Sequence, residues 1–150
     1  MTFTRRHAED PPETATELTL GRVAAALAAR GYTTRSAADR VSGMWDGFAF
    51  GFALEGDMLV VTGAWGHELE DSHQPAMLLA VNDWNRDHLW PVCFTCPAPE
   101  GRVTIGTRFV VPAGAGLSNE QLIAHLDCAL RAGVGFFQAL GPPPSNEDVA

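Results

Sequence analysis

The sequence predicts an α+β fold: one antiparallel β-sheet with helices packed on it, in the order α-β-β-β-α-β-β-α. Three observations predict it. Residues 45–54 and 102–111 alternate large apolar side chains with small or polar ones, the period of two expected of strands. Residues 17–30, 73–89 and 118–140 carry apolar positions three and four apart, with start or stop signals at their ends. Strands and helices do not alternate strictly, as a parallel sheet would require. A chain of 150 residues with 46% hydrophobic content can bury one substantial core, which places one domain at 17–140. Residues 1–16 and 141–150 are rich in proline and charge and poor in large apolar side chains, so both are expected to be disordered tails.

In the first helix Leu20, Val23, Ala24, Leu27 and Ala28 form the stripe, and Gly31 offers the left-handed conformation that ends many helices. A short strand is expected within 32–37, followed by a turn at Ala38-Asp39-Arg40. Strand 45–54 sets Phe48, Phe50, Phe52 and Leu54 on one face and Gly47, Ala49, Gly51 and Ala53 on the other. That second face is nearly bare, open to a partner backbone or to the first helix. Glu55-Gly56-Asp57 is turn chemistry and strand 58–65 follows, giving an antiparallel hairpin. Both faces of this second strand are apolar, which normally means both are covered.

The stretch Ser72 to Pro91 reads as a central helix, with Ser72 as its cap, Pro75 in the first turn and Pro91 forbidding continuation. Met77, Val81, Trp84 and His88 share one stripe. Leu78, Leu79 and Ala80 make the first half apolar all round, so cover is expected on more than one side. Residues 92–96 suggest a short strand and 102–111 a longer one, with Val103, Ile105, Phe109 and Val111 inward and Arg102, Thr104 and Arg108 outward. Ser118-Asn-Glu-Gln121 matches a capping box that opens the last helix. Leu122, Leu126, Ala129, Gly133, Phe136, Phe137 and Leu140 then keep one face apolar as far as Gly141.

The formal charge of −8 and the pI near 4.9 oppose binding to a phosphate backbone, so no nucleic acid partner is expected. No apolar run reaches the ~20 residues needed to span a bilayer, and no signal-peptide core opens the chain. Three cysteines without a dense spacing framework suit a reducing cytoplasm.

Four positions carry the sharpest chemical alternative, a thiol or zinc site: Cys93 and Cys96 at redox or zinc spacing, and His125 and Cys128 a helical turn apart. Against it, a strand through 92–96 sends Cys93 and Cys96 to opposite faces, and Pro97 and Pro99 stand where a redox motif has a helix N-terminus. His67, Glu68, Glu70, Asp71 and His73 read as a solvated loop before a helix. No phosphate loop or nucleophile elbow is present, and neither enzyme activity, cofactor nor metal is expected. Trp45, Trp65, Trp84 and Trp90 are large enough to anchor a core, an interface or a ligand groove. Asn82 and Asn85 flank the apolar stripe of the central helix, where a bonded amide pair would anchor a loop or specify an interface.

At Val81-Asn-Asp-Trp-Asn-Arg-Asp-His-Leu-Trp-Pro91 the sequence resembles the YbjN-type family of bacterial proteins, in its actinobacterial branch. Trp45-Asp-Gly47, Gly63-Ala-Trp65, Ser118-Asn-Glu-Gln-Leu122 and Gly133-Val-Gly-Phe-Phe137 follow in family-like order, and the resemblance covers about residues 17–140. It implies a fold similar to the small type III secretion chaperones, α+β dimers that bind extended client segments, and a sensory-regulatory role without catalytic residues. The combined expectation is a homodimeric protein-binding module, chaperone-like or regulatory. Its partner-binding or interface residues are Trp45, Trp65, Met77, Val81, Asn82, Trp84 and Asn85. A small-molecule sensor with an aromatic pocket is the other alternative.

Overall fold

A computed structural model of the chain describes residues 14–144. Helix α1 spans Leu20–Ala29, α2 Gln74–Asp87 and α3 Asn119–Leu140. The strands are β1 Arg35–Ser36, β2 Val41–Trp45, β3 Phe48–Glu55, β4 Met58–Ala64, β5 Val92–Pro97 and β6 Val103–Pro112. They form one six-stranded sheet in the order β1-β2-β3-β4-β6-β5, and every neighbouring pair is antiparallel.

The α+β class stands, with one more strand than the sequence reading gave. The run 45–54 is not one strand: Asp46 (φ 52°) and Gly47 (φ 82°) turn the chain between β2 and β3, and Trp45 pairs with Phe48. Two successive positive φ angles are what a tight type I′ hairpin turn needs, and Asp-Gly is a preferred pair for it. At the next hairpin Gly56 (φ 57°) occupies the first central position of a two-residue turn between Glu55 and Met58.

All three helices lie on one face of the sheet. Register places Val41, Phe50, Phe52, Leu59, Val61, Ile105, Phe109 and Val111 on that face. These residues share one buried cluster with Val23 and Leu27 of α1, Met77 and Val81 of α2, and Leu122, Leu126, Phe136 and Phe137 of α3. The most deeply embedded helix is α3, with seven buried residues against two in α2. Its start is built as the sequence implies: the Ser118 hydroxyl accepts from the Gln121 amide at 3.1 Å, while the Gln121 side chain accepts from the Ser118 amide at 2.9 Å. It closes at Gly141, φ 70°.

The expectations for α2 need correction. Ser72 is not its cap; it lies in a 3₁₀ turn over Asp71–His73, and His73 precedes the helix without a side-chain capping bond. The helix ends at Asp87, where His88 turns extended, well before Pro91. Cover on more than one side is absent too: Leu79 is 63% exposed and Leu78 40%. Thr16, assigned by sequence to the N-terminal tail, is paired with Leu117 through backbone bonds of 3.2 and 2.9 Å. The rest of both predicted tails lies mainly outside the described residues.

Candidate binding surface

The face of the sheet turned away from the helices carries Met44 on β2, Ala49, Gly51, Ala53 and Glu55 on β3, and Met58, Val60, Thr62 and Ala64 on β4. Gly106, Arg108 and Val110 follow on β6, and Val92, Phe94 and Cys96 on β5. No described helix packs there. Met44 is 63% exposed, and Met58, Val92 and Phe94 are also exposed. The bare positions Ala49, Gly51 and Ala53 therefore do not sit beneath the first helix.

This face is screened by its own side chains. Val60 is only 3% exposed yet belongs to no part of the helix-side cluster. The Arg108 guanidinium donates to the Glu55 carboxylate at 3.0 Å, and register puts these two residues on β6 and β3, diagonally across Val60 of β4. The Arg40 guanidinium lies on Gly51, in the space a Cβ would take there, and donates to the Thr62 hydroxyl at 3.5 Å. The Phe94 ring lies on Gly106, 2.9 Å from where its Cβ would be. Glycine at these two positions makes room for a long side chain to lie flat.

A second apolar zone surrounds β5. Leu78, Leu79, Leu89, Trp90, Val92 and Phe94 are six of the ten exposed large hydrophobics among the described residues, so exposure is concentrated in this short stretch. Here Asn85 has a defined task. Its side-chain amide donates to the Cys93 carbonyl at 2.8 Å and its oxygen accepts from the Cys93 amide at 2.9 Å. Those are the two bonds a neighbouring strand would make, so Asn85 blocks the sheet edge, and Pro97 removes a donor further along it. The sequence could show an amide at the right flank of α2, but not the backbone it meets.

The other residues singled out by sequence are placed as follows. Trp45, Trp65, Met77 and Val81 are buried in the helix-side core. Trp45 meets Tyr32, Phe50 and Phe52 edge-on, with centroids 5.5, 5.9 and 5.7 Å away. Trp84 is half-buried, stacked on His88 at 3.6 Å and edge-on to Phe136 at 5.1 Å. Asn82 is exposed and makes no side-chain hydrogen bond among the described residues. Two open clefts with aromatic lining bear on the aromatic-pocket alternative: one of about 420 Å³ between α1, α3 and the β2–β3 turn, lined by Tyr32 and Trp45, and one of about 780 Å³ beside β2, lined by Tyr32, Phe50, Arg40 and Met44. The lining of the first includes the Arg30–Asp127 ion pair at 2.6 Å and the Gln138–Asp46 hydrogen bond at 2.5 Å.

Cys93 lies on the helix side, buried, and Cys96 on the open side, the separation expected of strand residues three apart. Burial pushes the Cys93 thiol up to about 12 and raises that of Cys96 as well, the reverse of what a reactive or metal-binding thiolate needs. Among the described residues no three His, Cys, Asp or Glu side chains gather so as to hold a metal ion.

The fold and this surface define a class: a two-layer α+β protein whose antiparallel sheet has helices on one face and is open on the other. A family profile named YbjN, "Putative bacterial sensory transduction regulator", matches residues 19–142, and the chain belongs to that family. Among solved structures it is similar to "Crystal structure of YbjN, a putative transcription regulator from E. coli", with a TM-score of 0.71 and 12% identity over 85% of this chain and 95% of that chain. At that identity the likeness establishes the fold. No curated protein matches the sequence. No described helix is long and apolar enough to cross a membrane.

Proposed function

We propose that this chain is a non-enzymatic regulatory module of the cytoplasm that works as a homodimer and holds a segment of a partner protein, in the manner of a chaperone. The observation that carries the reading is the one-sided sheet: the face opposite the helices leaves Met44, Met58 and Phe94 in solvent, and exposed apolar patches on soluble proteins mark interaction sites. The family's description as a regulator supports the same reading. The partner segment is assigned to the open face. The second copy is assigned to the outer side of α2, at Leu78, Leu79 and Asn82, continuing to Leu89. Trp45 and Trp65 act beneath these surfaces as core residues, while Met77, Val81, Trp84 and Asn85 hold α2 and β5 in place.

Light scattering at tens of micromolar tests the assembly. The expected mass is twice the 16.1 kDa of the chain, falling to the single-chain value in a Leu79→Asp/Leu89→Asp variant that keeps its circular dichroism. A wild-type protein of single-chain mass at that concentration overturns the dimer. Retention of a native partner by wild type, undiminished by Ala64→Arg, overturns the open face as its site.

A further inference from the structure

We infer that the open face takes an acidic amphipathic helix of a partner protein, with Arg40 and Arg108 swinging off the sheet to bind its carboxylates. This rests on the proposed reading of that face as a partner site and specifies the chemistry of what fills it.

Charge is the first argument. The chain carries −8 overall, yet the charged side chains of this face are Arg35, Arg40, Arg108 and Glu55. Glu55 is already engaged by Arg108, and the Arg40 side chain has, among the described residues, only the Thr62 hydroxyl at 3.5 Å. Arg35 is exposed and makes no ion pair among the described residues. The surface is locally cationic on an anionic molecule. It suits a carboxylate-bearing partner better than a second copy of the chain, which would bring the same arginines together.

Shape is the second. The middle strands β3 and β4 present Ala49, Gly51, Ala53, Thr62 and Ala64 as a low floor, between Met44 on β2 and Arg108 on β6. The strands of Met44 and Arg108 are three spacings apart, about 14 Å, so with the Arg40 and Arg108 side chains swung off the floor a helix, about 10–12 Å across with its side chains, fits along it. A bilayer calls for large apolar side chains that protrude, whereas here Phe94 lies down on Gly106. Strand addition is disfavoured at the β5 edge by Asn85 and Pro97, and the β1 edge offers two residues.

The covers are the third. The Arg108–Glu55 pair is exposed, at 48% and 57% of its side-chain surfaces, and such a pair is worth little in water. Exchanging Glu55 for a partner carboxylate therefore costs little.

Methionine methyl NMR on the full chain tests this, because Met44 and Met58 report the open face and Met77 the buried core. The probes are two synthetic helical peptides with the same apolar stripe, one flanked by Glu and one by Lys. The Glu peptide is expected to shift Met44 and Met58 but not Met77, and to bind at least tenfold tighter than the Lys peptide. Arg40→Ala/Arg108→Ala should remove that preference, and Ala64→Arg should block both peptides. Equal binding of the two peptides at Met44 and Met58 overturns the acidic partner while leaving the face a binding site. No shift with either peptide overturns the face itself. The same shifts appearing instead with anionic lipid vesicles, or on raising protein concentration alone, assign it to a membrane or to a second copy.

Discussion

The two faces of the sheet are made by the same strands and differ in how they are covered. On the helix side Phe52, Leu59 and Ile105 are fully buried beneath three helices, where removing a ring leaves a cavity that close packing cannot repair. On the other side Val60 is out of water but outside that core, and Gly51 is covered by the Arg40 side chain lying flat. Burial is therefore not one property: a central strand residue can be out of water without belonging to a core. The helix face specifies the fold, and the open face keeps apolar surface available at little cost to stability.

The sharpest way to break the comparison is to empty one position on each face. Phe52→Ala should cost about 3–5 kcal/mol in chemical denaturation, while Met44→Ala should change stability by less than about 0.5 kcal/mol. A large loss at Met44 would mean that this face is part of a core after all. The edge of β5 comes next. Asn85→Ala leaves the Cys93 amide and carbonyl without partners and should cost about 1–3 kcal/mol, with faster amide exchange at Cys93. Alkaline titration sharpens the picture at the same strand. The thiol of Cys93 keeps its proton up to about 12 in the fold against an ordinary 9.0. The unfolded chain thus ionises first, and stability should fall between pH 9 and 12 by up to about 1.4 kcal/mol per pH unit. Cys93→Ala should flatten that limb in pH-dependent melting. The helix cap lies below the core and edge losses: Ser118→Ala should cost about 1 kcal/mol.

Much of this was legible in the sequence, for physical reasons that vary by element. The hairpin of β3 and β4, the inward set of β6 and the Ser118 capping box were readable because period-two alternation and local side-chain-to-backbone bonds depend on neighbours in the chain. The separation of β2 from β3 was missed although its signal was present. Asp46-Gly47 is a tight-turn pair, but it sits inside a run whose alternation continues through it. The role of α2 was overstated, since Leu78-Leu79 reads the same whether a helix is covered or left in solvent. Period two shows that Ala49, Gly51 and Ala53 share a face, but small side chains suit both a helix contact and an open surface. Nor did spacing reveal that Arg40 would lie on Gly51 or that Asn85 would reach Cys93, because both contacts are set by tertiary placement. The tryptophans at 45 and 65 fit a core and an interface equally well by composition, and the fold puts them in the core.

The one-sided sheet is tested most directly by paramagnetic relaxation of the methionine methyl groups with a soluble gadolinium chelate in the free protein. The account predicts strong relaxation of Met44 and Met58 and little of Met77, in line with their exposures of 63%, 40% and 5%. Met44 and Met58 as well protected as Met77 would contradict it, since the face opposite the helices would then be covered in the free molecule.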